Sequence, residues 1–417
     1  MQPDSPPPLP RGLDTMEEAF WQFERFHSYA PVFLLELEGM IEAHDWEKHI
    51  RAIQARYPLL GARISKVTGE RPLFEPAIDG GIVFRQRPLD PHDRAETMME
   101  RELSIGFGDG SGALARVSLL QGPDRAILLF AAHHAAFDGR TMMMIVEDLL
   151  SAASGKPLGA PFEGATDICR VLDLSDNGGY RTLFDKTGTA ALPDAMTAHV
   201  ERIILSEALS AAILSQCKAR SVNVRSLIAA AVAEAGRAQR PDWQSRPVRI
   251  SSPVDLRPML GQADTPGLLI GLSSATVPAT ASLDTLWEDA ASIGRSFQQA
   301  ANVEAQKALL LKLRELTEDE CLPHTFVEKW KSRFPAADIM INNYGRITLQ
   351  EDYGDFRIKA ISSGSIAGLG VTQKVSVIAL RKQIGICLAT CEPIDGILEK
   401  ASTILADACK NRDKDKI

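Results

Sequence analysis

The sequence has few cysteines, and none of them form the close pairs on which disulfide scaffolds and zinc sites depend. Six are spread along 417 residues, at Cys169, Cys217, Cys321, Cys387, Cys391 and Cys409. No CxxC spacing occurs, so a disulfide framework and a structural zinc site are both disfavoured. Cys387 and Cys391 lie in an apolar run that is typical of a strand, where we expect small packed residues. These patterns predict a cytoplasmic protein that holds no metal.

Long apolar runs are also missing. The longest ones, such as residues 126–132, fall far short of the roughly 20 residues that a membrane-spanning helix needs. The first twelve residues contain five prolines and no apolar segment of the kind found in secretory signals. We therefore expect no membrane span and no secretory signal, and we expect residues 1–12 to be a flexible tail.

A basic surplus is absent, since the chain has 46 Lys and Arg against 54 Asp and Glu, a formal net charge of −8. Nucleic-acid binders usually carry the opposite balance, so no nucleic-acid partner is expected. Serine-hydrolase GxSxG and P-loop sequences are missing too. The glycine-rich run at 106–112 precedes a strand instead of joining a strand to a helix, which favours a loop over a dinucleotide site.

The composition that is present is ordinary for a globular protein, with 45% apolar and 24% charged residues. The length predicts two domains. Apolar periodicity and turn residues predict irregularly alternating helices and strands, which indicates an α/β protein built from α+β two-layer sandwiches. The first predicted helix begins at Thr15, which has the spacing of a capping box with Glu18. Further helices are predicted at 46–57, 92–103, 142–150, 206–219, 223–239, 283–300 and 395–408. The predicted strands span 32–37, 62–67, 82–87, 114–120, 126–132, 248–254, 268–277, 337–342, 374–380 and 384–391.

The segment 171–195 has weak periodicity and many turn formers. We interpret it as a connection between an N-terminal lobe, 13–170, and a C-terminal lobe, 196–417.

Two adjacent histidines end the nearly continuous apolar strand 126–132. Because neighbouring side chains of a strand point to opposite faces, His133 and His134 cannot have the same role. We expect one of them to face a cleft and the other to pack into the protein. Asp138 follows four residues later, and Gly139 permits a close approach of other groups.

A neutral imidazole suits general-base catalysis near neutral pH. Asp138 could orient the histidine directly, as in a catalytic triad. It could instead pair with an arginine and fix the loop. We favour this second role, because the four-residue separation of Asp138 from His134 across a turn gives no assurance that their side chains are in contact. The alternative is a packed histidine pair beside a surface Asp-Gly turn.

The string HHAAFDG at 133–139 resembles the HHxxxDG motif of the chloramphenicol acetyltransferase-like superfamily, which includes condensation domains and stand-alone acyltransferases. Other segments resemble the family in the same order, and together they cover most of residues 15–405. They are RYPLLGARI at 56–64, GALARVSLL and AILLFAAHH before the motif, SVNVRSLIAAAVAEA at 221–235, SSPVDLRP at 251–258 and INNYGRI at 341–347.

The resemblance implies two lobes with an active-site tunnel between them. It implies that His134 is the general base, that His133 is its packed neighbour and that Asp138 is structural. Arg257 is our choice of partner for Asp138, with Arg63 as the alternative. An oxyanion also needs a hydrogen-bond donor, for which Asn343 is the candidate; its other interpretation is a turn-forming residue.

One family motif is not intact. Many relatives carry DFGWG late in the chain, whereas this sequence has only EDYGDF at 351–356. This departure favours stand-alone polyketide-associated O-acyltransferases over plant-type enzymes and modular condensation domains.

The resemblance thus implies transfer of an acyl group from a coenzyme A or phosphopantetheinyl carrier-protein thioester to an alcohol, without a covalent intermediate or bound cofactor. The alternatives are amide formation with an amine acceptor, and a non-catalytic module that binds a carrier protein. Two lobes in one chain would make a complete site, so a monomer would suffice. Met142, Met143 and Met144 could line an acyl channel, although core packing is the preferred interpretation. Lys329, Lys331 and Arg333 could meet a phosphopantetheine or an acidic carrier protein, although a solvated helix face is the preferred interpretation.

Overall fold

The computed structural model describes residues 9–41, 44–77, 81–164, 166–174, 197–318, 321–334, 336–347, 349–366 and 370–410. No helix within these ranges combines the length and the apolar character needed to cross a bilayer. Two single-turn 3₁₀ helices lie at Pro58–Gly61 and Leu283–Thr285. The α-helices are α1 (Thr15–Phe26), α2 (Trp46–Arg56), α3 (Ala95–Leu103), α4 (Gly139–Ala153), α5 (Ile168–Val171), α6 (Glu207–Arg220), α7 (Val224–Arg237), α8 (Pro241–Ser245), α9 (Arg257–Leu260), α10 (Leu286–Ala300), α11 (Val303–Thr317), α12 (Pro323–Arg333) and α13 (Ile397–Lys410).

The strands of the described ranges form three open sheets, in the orders β1-β4-β3, β12-β2-β7-β6-β5 and β10-β9-β11-β13-β14-β8. Most neighbouring strands are antiparallel, but β5 and β6, β9 and β11, and β11 and β13 pair in parallel. The strands are β1 (Arg11–Gly12), β2 (Val32–Gly39), β3 (Ala62–Ser65), β4 (Leu73–Pro76), β5 (Val83–Pro88), β6 (Ala115–Gln121), β7 (Arg125–Ala132), β8 (His199–Ile204), β9 (Val248–Asp255), β10 (Ile270–Val277), β11 (Ile339–Arg346), β12 (Phe356–Gly364), β13 (Gln373–Leu380) and β14 (Gln383–Thr390).

This architecture is the predicted mixture of helices and open sheets, with one main sheet in each half of the chain. The halves are not separated at one point of the sequence, because β12 leaves the C-terminal half and pairs along its length with β2. The division at 171–195 therefore describes the chain order but does not assign every strand to its sheet. Of that predicted connection, residues 175–196 lie outside the described residues.

The start of the chain corrects two predictions. Helix α1 is capped by Asp14 and not by Thr15, and the reciprocal partner is Glu17 instead of Glu18. The tail predicted to extend to residue 12 ends earlier, because Arg11 is buried and its guanidinium makes two hydrogen bonds to Glu17. This ion pair ties β1 to the first turn of α1, while β1 itself pairs with β4. Residues 1–8 of the predicted tail lie outside the described part of the chain.

Most predicted elements are present with ends shifted by a few residues. The sequence patterns missed β4, β8 and β12, the helix α11 and the short elements β1, α5, α8 and α9. Of α12, only the helix face of Lys329, Lys331 and Arg333 was expected. Strand β12 reads FRIKAISSG, with a serine and glycine end that resembles a loop. Its pairing with β2 is a contact between distant parts of the chain, and local patterns carry no signal for it.

Strand β7 determines where the two adjacent histidines that follow it are located. Every residue from Ala126 to Ala132 is buried, as predicted for a strand covered on both faces. One side packs with α1, α2 and α4 in the N-terminal core. The other faces α3 and the strands β8 and β14 of the second sheet, so the end of β7 lies where the two halves meet.

We predict that Gly39→Ala strongly destabilises the junction between β2 and β12. Gly39 has a φ of +125°, and a Cβ there would lie 2.2 Å from the carbonyl oxygen of Asp355. The combined strain and clash should lower the free energy of unfolding by about 2–4 kcal/mol, which denaturant unfolding would measure. The control is Gly112→Ala, whose Cβ would have no neighbour within 4 Å. Equal stability of the two variants would contradict the prediction.

Candidate active site

The two histidines lie in a short loop that links β7 to α4. The backbone N–H of His133 donates to the carbonyl of Leu114, and that of Ala136 donates back to the carbonyl of His133. Asp138 ends the loop as the N-cap of α4, where its carboxylate accepts the backbone N–H of Thr141 at 2.8 Å. An Asp at this position satisfies a helix N–H that has no partner in the helix.

His134 has one ring nitrogen fixed by this loop. Its Nδ1 lies 3.1 Å from the carbonyl oxygen of Phe137. A carbonyl only accepts, so Nδ1 carries the proton and Nε2 carries the lone pair. The ring packs against Phe20 of α1, with centroids 4.1 Å apart. His134 thus has the orientation, the tautomer and the free lone pair that a general base needs.

His133 is held differently. It is fully buried, and its Nδ1 accepts the N–H of Ala135 at 3.1 Å. It does not line the cavity on which His134 lies. The two side chains therefore have different surroundings, in line with the alternation of a strand.

Burial keeps both imidazoles neutral. Desolvation lowers the pKa of His133 to about 3. Desolvation, together with the nearby charge of Lys374, lowers the pKa of His134 to about 3. Because unfolding restores an ordinary histidine pKa, protonation stabilises the unfolded chain as the pH falls below roughly 6.5. The lone pair of His134 is available throughout the neutral range.

Asp138 does not contact His134 but is bound by the C-terminal half. Arg257 of α9 donates from Nη1 and Nη2 to its two carboxylate oxygens at 2.8 and 3.1 Å, and both side chains are buried. The backbone N–H of Leu269 donates a further hydrogen bond at 2.9 Å. Burial alone would raise the pKa of Asp138, but Arg257 and the backbone donors hold it below its usual value. The carboxylate is therefore ionised and acts as a link between the halves.

The same arginine is saturated with acceptors. Besides Asp138, its guanidinium donates to Thr265, Gly267, Thr141 and Asp255. Arg63, the alternative partner proposed from the sequence, pairs instead with Glu75. A buried arginine with this many acceptors fixes the position of α9 relative to α4.

Gly139 makes room for an aromatic side chain. A Cβ at this position would lie 2.6 Å from Cε1 and 2.7 Å from the hydroxyl oxygen of Tyr344. The hydroxyl lies 3.1 Å from the Ser363 hydroxyl. Tyr344 belongs to β11, so the small residue of the N-terminal half receives a side chain of the other half. The sequence analysis did not select Tyr344.

Asn343 lies on the cavity wall but is exposed. Its Oδ1 accepts the N–H of Gly345 at 3.1 Å, in the turn-forming role that was the alternative interpretation. The bulge between Asn343 and Gly345 supports this role. Since the amide oxygen is used, Nδ2 is the group left to donate to a ligand.

A cavity of about 270 Å³ opens beside His134, with walls from both halves of the chain. Most of its wall is apolar, and its charged residues are Arg140, Asp255, Arg257, Arg346 and Lys374. The apolar residues are Met16, Ala19, Phe20, Phe23, Met143, Ile270, Leu272, Leu309, Leu313, Trp330, Phe334 and Met340. Such a surface suits an acyl chain, and the predicted methionine run contributes only Met143 to it.

Several polar residues of this cavity were not candidates from the sequence, among them the buried Tyr29 and Lys374 and the half-buried Tyr344. Tyr344 lies in the INNYGRI segment next to Asn343, whereas Tyr29 and Lys374 lie far from the HHAAFDG string and in no quoted motif. Lys374 begins the largely apolar predicted strand 374–380, and the sequence does not indicate that its side chain is buried. Within the described residues, no group of three or more His, Cys, Asp or Glu side chains could hold a metal ion.

We predict that Arg257→Met lowers the free energy of unfolding by about 3–5 kcal/mol, because Asp138 would remain buried as an unpaired charge. Adding Asp138→Asn should recover part of this loss by removing the charge. The control is Arg357→Met, which breaks an exposed pair with Glu38 and should cost at most about 1 kcal/mol. Denaturant unfolding measures all variants, and equal losses at Arg257 and Arg357 would contradict the buried link.

We also predict that His134 stays neutral, with its proton on Nδ1, from pH 7 to about pH 5. NMR of ring-labelled histidine reports both the tautomer and the charge, and the signal missing from His134→Ala assigns the residue. An ordinary histidine would be half protonated near pH 6.5. A titration near that value would show that the ring is not desolvated as described.

The C-terminal half matches a known family. Residues 194–350 match the model described as phthiocerol/phthiodiolone dimycocerosyl transferase C-terminus. This segment includes Arg257, Asn343 and Tyr344 but not the two histidines. None of the curated protein sequences matches the chain significantly.

Solved structures match along nearly the whole length. Polyketide synthase associated protein 5 from Mycobacterium tuberculosis is 18% identical, with a TM-score of 0.67 and coverage of 98% of this chain and 99% of that one. The first condensation domain of the CDA synthetase is 15% identical, with a TM-score of 0.70 and 97% coverage of both chains. SgcC5 from Streptomyces globisporus is 16% identical, with a TM-score of 0.62 and coverage of 96% and 99%.

The agreement with these structures covers both halves of the chain. The chain therefore has the two-lobed fold of the chloramphenicol acetyltransferase-like and condensation-domain superfamily, and its residues 194–350 match the phthiocerol/phthiodiolone dimycocerosyl transferase C-terminus.

Proposed function

We propose that this protein is an acyltransferase that moves an acyl group from a thioester, on coenzyme A or an acyl carrier protein, to an alcohol in natural-product or lipid biosynthesis. One observation carries the proposal. His134 is fixed through Nδ1, keeps its Nε2 lone pair, and lies on a largely apolar cavity between the two halves. The family match and the fold support acyl transfer.

The reaction would proceed by direct attack. His134 Nε2 takes the proton of the acceptor hydroxyl as its oxygen bonds to the thioester carbonyl carbon. The tetrahedral intermediate then collapses, the carbon–sulfur bond breaks, and the imidazolium returns the proton to the departing thiolate. The products are an ester and a free thiol. Because the thioester is already activated, placing both substrates at one carbon supplies much of the rate without an acyl-enzyme intermediate.

The other residues have supporting roles in this scheme. Asp138 and Arg257 hold the loop through their buried ion pair, so they are positioning residues. Asn343 is the candidate donor to the intermediate oxyanion, through the Nδ2 that its turn leaves free. The apolar wall formed by Phe20, Leu313 and Trp330 would hold the acyl chain.

We predict that His134→Ala lowers kcat/KM for ester formation by about 10²–10⁴, the usual contribution of a general base. The test is intact-mass analysis of products from a panel of acyl-coenzyme A and acyl-carrier thioesters offered to alcohols and amines. The control is His49→Ala, which removes a half-buried histidine of α2 that does not line the cavity. It should leave the rate unchanged.

The products separate the alternatives. An amide with no ester would replace the proposal by condensation with an amine acceptor. Carrier-protein binding without any transfer, unaffected by His134→Ala, would favour a non-catalytic binding module. Full activity of His134→Ala would exclude the assigned base.

A further inference from the structure

A second polar group of the cavity has no role in the proton transfer described above. Lys374 lies on β13 and lines the same cavity as His134, yet only 3% of its surface is exposed. Its strand partner in β11 is Met340, which lines the cavity as well. The side chain is therefore enclosed by protein and open only toward the space that a substrate would fill.

Its neighbours do not neutralise it. The Nζ atom lies 5.2 Å from the centre of the Tyr29 ring, which attracts a cation through its face. Within the described part of the chain, Lys374 forms no ion pair. Desolvation lowers its pKa to about 7. Tyr29 thus favours the ammonium form only weakly, and no carboxylate compensates the burial.

Such a residue is costly for the fold alone. Moving an ammonium out of water costs several kcal/mol, whereas methionine at the same place would bury at no such cost. Buried lysines of this kind cluster at functional sites. An anionic group in the cavity would supply the missing charge and make a charge-assisted hydrogen bond.

Lys374 and His134 both lie beside the Tyr29 ring. The Tyr29 ring, on which Lys374 lies, is 6.0 Å from the His134 ring, and Lys374 makes no hydrogen bond to that histidine. The reacting carbonyl must lie next to His134 Nε2. The group that meets Lys374 is therefore a neighbouring substituent of the same bound substrate.

We propose that Lys374 forms an anion-binding subsite inside the cavity and that the protein acts on a substrate bearing a carboxylate. The substrate class rests on the proposed function, but the subsite itself does not. The carboxylate can come from a hydroxy acid acceptor or from the acyl group of the donor, and both present the same oxygens to the ammonium.

The test measures binding, not transfer. Isothermal titration calorimetry compares octanoate with octanol, two ligands of one chain length that differ in charge. The full chain should bind octanoate about tenfold or more tightly than octanol, as expected for one hydrogen bond between charged groups. Lys374→Met should reduce the preference to less than about twofold, and Lys374→Arg should retain it. Thermal unfolding verifies that each variant is folded.

Arg346 provides the matched control, because it is an exposed cation that also lines the cavity. Arg346→Met should keep the preference for octanoate. The proposal is overturned if the unaltered protein shows no preference, if Lys374→Met keeps it, or if Arg346→Met alone abolishes it. These outcomes do not depend on acyl transfer, so failure of the subsite and failure of the proposed function are distinguishable.

Kinetics then identify the source of the carboxylate. If the acceptor carries it, Lys374→Met should raise KM for a hydroxy acid at least about tenfold and leave KM for its methyl ester unchanged. If the donor carries it, the same contrast should appear between succinyl- and butyryl-coenzyme A. Equal effects on the charged and neutral members of both pairs would overturn the substrate class.

Discussion

The ion pair between Asp138 and Arg257 is the contact on which the rest of the site depends. It joins the N-cap of α4 in one half to α9 in the other, and both side chains are buried. A carboxylate in this environment is tolerable only because a guanidinium and two backbone N–H groups satisfy it. The pair therefore fixes how the two halves face each other, and so fixes the shape of the cavity between them.

The geometry of the base follows from that link. With Asp138 held, the five-residue loop from His133 to Phe137 has little freedom, and the Phe137 carbonyl points at His134 Nδ1. The Asp138 carboxylate therefore links the two halves instead of orienting the histidine, and the Phe137 carbonyl selects the tautomer of His134. Gly139, next in the chain, leaves space for Tyr344 and so brings β11 to the same wall.

Sequence reasoning found the parts of this arrangement that are encoded locally. The apolar strand, the adjacent histidines and the Asp-Gly step are contiguous, and Arg257 could be selected only through the family resemblance. Lys374 and the pairing of β12 with β2 could not be found that way. In the sequence, Lys374 is only the first residue of a predicted apolar strand. Its burial becomes apparent only in the structure, where Tyr29 and Met340 lie beside it.

The desolvation of the cavity also constrains which reaction it can support. Burial keeps His134 neutral, which preserves its lone pair, but the same burial makes the imidazolium unfavourable. A proton taken by this ring must therefore leave quickly. A departing thiolate is a much stronger base than this desolvated imidazole, so transfer of the proton from the imidazolium to sulfur is strongly favourable. Under the proposed function, a thioester donor suits a desolvated histidine for this reason, because the departing thiolate removes the proton that the buried ring does not retain.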